Sequence, residues 1–139
     1  MKTKFDDLVK LRKNEIEKIE RNIRKINSSI KMLKEKEASL KKELLSFSLP
    51  KSGTFSEINQ LKQMQYLLQN EIENINSQID VLNSRKKELL EELKKANIEY
   101  EKMKYLQNKE IKKKIRKLQL KEAREMDEIA ILLRNSNAT

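Results

Sequence analysis

The residues of this chain that could do chemistry are concentrated in KEIKKKIRKLQLKEAREMDEIAILL, residues 109 to 133, where KKKIRK at 112 to 117 places five cations in six positions. Cations at that density attract phosphates, acidic protein surfaces or anionic lipid. Catalysis has no such starting point. The chain has no Cys and no His, no glycine loop to cradle a phosphate, no metal-ligand cluster and no nucleophile beside a base. Neither an enzyme activity nor a metal or other cofactor is expected. The cations also share their helix with Ile111, Ile115, Leu118, Met126, Ile129 and Leu133, one apolar residue every three or four positions along most of the run. Phosphate contact does not explain that stripe, and the aromatics and fold of a nucleic-acid reader are missing. Nucleic-acid binding is therefore the lesser alternative, along with a self-associating structural protein.

What positions this segment follows from composition. One Gly, one Pro and no Trp in 139 residues, with 39% charged residues and a net charge of +10, leave too few turns for layered sheets or short packed helices. The balance predicts an all-α protein of long helices. In the first third Val9, Ile16, Ile23, Ile30 and Leu44 fall at a, and Phe5, Ile19, Ile26, Leu33, Leu40 and Phe47 at d, interrupted by Arg12 and Glu37. The break is SFSLPKSGTFSE, residues 46 to 57, with Thr54 and Glu57 spaced as a capping box. The pattern then resumes from Ile58 through Met103, interrupted at Gln65 and Lys86. One domain over 1–139 is expected: a two-helix antiparallel coiled-coil hairpin, monomeric, with helices over about 3–47 and 55–134, a turn over 48–54 and a short disordered tail.

A tight turn fixes a register. Ile23 with Leu82, Ile26 with Ile79, Ile30 with Ile75, Leu33 with Ile72 and Leu44 with Leu61 have numbers totalling 105, which centres the bend between Ser52 and Gly53. Glu37 and Gln65 then lie in adjacent layers, able to hydrogen-bond across the seam. Phe5 faces Tyr100, so the first helix runs out there and the second overhangs by roughly thirty residues, about 45 Å at about 1.5 Å per residue. Three fates are open to the overhang: a solvated helix, pairing with a second copy, or reception by another protein. Charge separates the ends, with twelve basic against six acidic residues over 1–36, nine against two over 100–121, and two against four over 46–80. The start, MKTKFDDLVKL, does not read as a secretory signal, and a soluble cytoplasmic protein is expected.

Two stretches, KFDDLVKLRKNEIEKIE at 4–20 and YEKMKYLQNKEIKKKIRKLQLKEAREMDEIAILL at 100–133, resemble the ends of the flagellar type III export FliJ family. The resemblance implies a coiled coil akin to the stalk of rotary ATPases. Its open end would enter the central hole of the hexameric export ATPase FliI, while the hairpin contacts the export gate protein FlhA and export chaperones at the cytoplasmic face of the membrane. On that reading the stripe at Ile111, Ile115, Leu118, Met126, Ile129 and Leu133 packs inside the ring, and Lys112, Lys113, Arg116 and Lys117 meet its acidic lining. For the export gate, the outward apolar residues near the bend, Leu45, Met64, Tyr66 and Leu67, are the candidates on chemistry alone.

Overall fold

The computed structural model describes residues 1–47 and 53–137 and contains two helices, α1 over Asp6–Ser46 and α2 over Phe55–Asn137. Most of the expected turn, residues 48 to 52, and the last two residues of the expected tail lie outside the described residues. Both helices begin at local start signals. Thr3 and Asp6 form a reciprocal cap, in which the Phe5 amide donates to Thr3 Oγ1 at 3.2 Å and the Thr3 amide donates to Asp6 Oδ2 at 3.1 Å. At α2 the Glu57 amide donates to Thr54 Oγ1 at 3.2 Å, the half of the box that holds the helix start. No helix among the described residues is long and apolar enough to cross a membrane.

The chain divides into two compact units, Met1–Ile16 with Lys95–Thr139, and Glu17–Lys94. In each, a piece of α1 packs antiparallel on a piece of α2. The heptad spacing selects the covered face: from Val9 to Phe47, and again from Ile58 to Met103, the a and d positions are buried or half-buried. In the Glu17–Lys94 unit Ile30, Ile75 and Ile79 are buried together, with Ile26, Leu33, Leu40 and Leu82 packed around them. An apolar side chain buried in this way contributes roughly 1.5–3 kcal/mol, so a row of them outweighs the surface ion pair Lys36–Glu71 at 3.6 Å, which contributes about 1 kcal/mol or less.

The register differs from the one the sequence predicts. In the Glu17–Lys94 unit Asn76, with its amide nitrogen facing Glu37, donates to Oε2 at 2.7 Å and Oε1 at 3.1 Å. In the other unit Gln107 Nε2 donates to Asp6 Oδ1 at 2.9 Å. Each pair has numbers totalling 113, whereas the predicted register totals 105 and would separate the same residues by about 12 Å along the axis. Sliding by one heptad to a total of 112 accounts for both contacts. It brings Leu33 level with Ile79 and Ile30 level with Leu82, in keeping with the hollow that Leu33 shares with Gln78, Val81 and Leu82. Glu37 accordingly bonds to Asn76 and to Lys41 Nζ at 2.6 Å, and the expected Glu37–Gln65 bond is replaced. The physical reason is that a shift of seven lays seam on seam, so apolar spacing cannot choose between the two.

Candidate functional site

The one-heptad difference decides where α2 becomes bare. In the unit formed by Met1–Ile16 and Lys95–Thr139, Lys114 Nζ donates to the Lys2 carbonyl at 2.6 Å, and Met1 shares a hollow with Lys114, Lys117 and Leu118. Pairing therefore extends beyond Met103, and Ile111 is half-buried rather than free. The expectation that the overhang begins after Met103 is corrected by this reach of the N-terminal segment. Ile115 is 42% exposed and Leu118 50%, both on the border of the paired region.

From residue 119 to 137 every residue is exposed. Met126, Ile129 and Leu133 lie here with more than half of their surface open, and so do Leu120, Ile131 and Leu132, which the one-stripe reading passed over. The signal for Ile131 and Leu132 was IAILL at 129 to 133. At about 100° per residue, five consecutive apolar residues leave no polar side to the helix. A flat surface or shallow groove would cover only part of this girdle, whereas a partner that encloses the helix would cover all of it. Lys112, Lys113, Arg116 and Lys117 are exposed about three to five turns before it. The stretch thus presents a basic collar followed by an apolar end, with Glu122, Glu125, Asp127 and Glu128 interspersed with cations between them.

The candidates near the bend do not form one patch. Met64 and Leu67 share a hollow with Glu57, Gln60, Leu61 and Gln63. Tyr66, two residues from Met64, points about 200° away around α2. Leu45 is exposed on α1, and Phe55, which sequence reasoning missed, is 84% exposed at the start of α2. A second apolar hollow, lined by Ile98, Met103, Tyr105 and Leu106, lies on α2 in the Met1–Ile16 and Lys95–Thr139 unit. It was not legible because Ile98 and Tyr105 fall outside the a and d positions.

The pKa of Asp6 is shifted by its hydrogen bonds. Asp6 is lowered from 3.8 to about 2, first by the hydrogen bond from Gln107 and then by those from the Thr3 side chain and backbone. Its carboxylate ties the start of α1 to both its own cap and α2.

Comparison with known proteins gives one result. The family model described as flagellar FliJ protein matches residues 1–139, the whole chain. No curated protein and no solved structure matches at a significant level.

Proposed function

The chain belongs to the flagellar FliJ family, and from that membership we propose that it is a stalk and adaptor of the flagellar type III export apparatus, without catalytic activity of its own. The end of α2 enters the ring of the hexameric export ATPase FliI, and the body of the hairpin meets the export gate protein FlhA and export chaperones. The protein then works in the cytoplasm, at the membrane face, held there through its partners. The observation that carries this reading is the bare end of α2, residues 119 to 137, with apolar side chains on every side at 129 to 133. Such a surface is costly in water and is covered when a ring closes round it.

Within the proposed contact, Met126, Ile129 and Leu133 supply most of the affinity, because each buried apolar side chain contributes roughly 1.5–3 kcal/mol. Lys112, Lys113, Arg116 and Lys117 meet acidic groups at the mouth and mainly speed the encounter. Ile111, Ile115 and Leu118 lie at the entrance, beside the segment before α1, whose Met1 shares a hollow with Leu118. Leu45, Met64, Tyr66 and Leu67 remain the proposed export-gate contacts, with Met64 and Leu67 acting together.

The test is Ile129→Asp with Leu133→Asp, measured by binding to the ATPase and stimulation of its hydrolysis. Both should fall at least a hundredfold while helix content and melting stay at native values, since neither residue packs against α1. Native stimulation by this variant would refute the ring contact. Conversely, Lys112→Ala with Lys113→Ala should slow association several-fold and weaken its salt dependence, leaving dissociation nearly unchanged.

A further inference from the structure

We infer that α1 and α2 can exchange between two registers one heptad apart, and that the hydrogen bonds Asn76–Glu37 and Gln107–Asp6 are the latches holding the observed one. In the Glu17–Lys94 unit, α1 contributes nine seam residues from Ile19 to Phe47. In the observed register three of these nine layers contain a polar member, namely Gln65 level with Phe47, Glu37 with Ile75, and Lys86 with Ile26. Slipped by seven, the same three polar residues interrupt three layers again: Gln65 with Leu40, Glu37 with Leu68, and Lys86 with Ile19. Every polar residue meets an apolar one in both arrangements. Within this unit the seam is indifferent to the slip, so the choice falls to other groups.

Three contacts made by such groups join α2 to α1 or to the segment before it. Asn76 lies outside the a and d positions, yet it bonds Glu37 at 2.7 Å, and Gln107 bonds Asp6 at 2.9 Å. Lys114 adds its bond to the Lys2 carbonyl. A slip of seven residues moves all three pairs apart by about 10 Å. In return Ile58 and Leu61 come level with Phe47 and Leu44 in the Glu17–Lys94 unit, two wholly apolar layers.

The consequence appears in the other unit. The slip withdraws the N-terminal segment that leads into α1, with Met1 and Lys2, along α2 and uncovers Ile111, Lys114 and Leu118, lengthening the bare end of α2 by about two turns. A partner gripping that end therefore favours the slipped register, and an unlatched chain favours the partner. This functional consequence rests on the proposed role of α2, whereas the sliding itself is a property of the isolated chain.

The experiment uses full-length chain, dilute, with cysteine pairs in place of seam residues. Leu33→Cys with Ile79→Cys reports the observed register, and Leu33→Cys with Ile72→Cys reports the slipped one, because a disulfide needs Cα atoms within about 7 Å. Circular dichroism of each variant before oxidation confirms that it is folded. The first pair should close rapidly as an intramolecular bond. The second should close more slowly, and about tenfold faster once Asn76→Ala and Gln107→Ala are added. Failure of the second pair to close in either background would overturn the exchange, and closure at one rate in both would overturn the latches. Failure of the first pair alone would overturn the observed register and the proposal with it. No ATPase is present in the assay, so these results stand apart from the test of the ring contact.

Discussion

Two stretches of α2 carry apolar residues at the same spacing and meet opposite fates. Between Ile72 and Leu89 the residues at a and d are covered by α1, with Ile75 only 3% exposed, whereas between Met126 and Leu133 every apolar side chain stands in water. The stripe of Met126, Ile129 and Leu133 repeats the spacing of the covered one, and only the added Ile131 and Leu132 set the second stretch apart. Spacing specifies which face of a helix seeks cover, and a second element in the right register decides whether the chain provides it.

The largest test of this contrast is to remove the same side chain from each stretch. Ile75→Ala should destabilise the fold by about 3 kcal/mol, since it deletes buried methyl groups and leaves a cavity. Ile129→Ala should change stability by no more than about 0.5 kcal/mol, as is usual for an exposed position. Chemical denaturation followed by circular dichroism measures both. Equal losses would mean that the end of α2 is covered in solution and that the contrast is false.

That contrast also marks how far the sequence could be read. The seam from Val9 to Phe47 and from Ile58 to Met103 was legible because alternating steps of three and four place those residues on one face. The caps at Thr3 and Thr54 share one spacing, a Thr with an acid three residues on; the box at Thr54 with Glu57 was read, whereas at Thr3 an Asp, Asp6, stands in place of the usual Glu and was passed over. The register was not legible. Ile30 finds an apolar partner whether it faces Ile75 or Leu82, and turn length alone was left to choose. The error carried through to the site: placing the end of α1 a heptad too early made Ile111 seem free. Ile131 and Leu132 were missed for another reason, because a stripe template looks at one side of a helix and IAILL occupies all of it.

The two helix starts sharpen the comparison at a smaller scale. Thr54 caps α2 with its hydroxyl alone, while the cap at Thr3 is reinforced by Asp6 and by Gln107 across the helix pair. Thr54→Ala should cost about 1 kcal/mol and fray the first turn of α2, which amide hydrogen exchange at Glu57 and Ile58 would reveal. Unchanged exchange there would show that the hydroxyl is not holding the helix start.

The smallest expected effect is local and concerns Asp6. Its folded pKa of about 2 lies below the ordinary 3.8, so the folded protein favours the charged carboxylate. The sign follows from linkage: the stabilisation is complete above 3.8, declines as pH falls below that value, and is gone below about 2. Carboxyl-carbon NMR should therefore show Asp6 titrating near 2, with the Gln107 side-chain amide shifting over the same range. Gln107→Ala should raise the midpoint towards 3.8 but not fully, because the Thr3 hydroxyl and amide still bond the carboxylate. Thr3→Val removes the hydroxyl instead and should raise it less, in keeping with the order of the causes. A native midpoint near 3.8 would mean that Gln107 does not reach Asp6 in solution. The start of α1 would then have lost the contact that sets its register, and the bare end of α2 would begin earlier than residue 119.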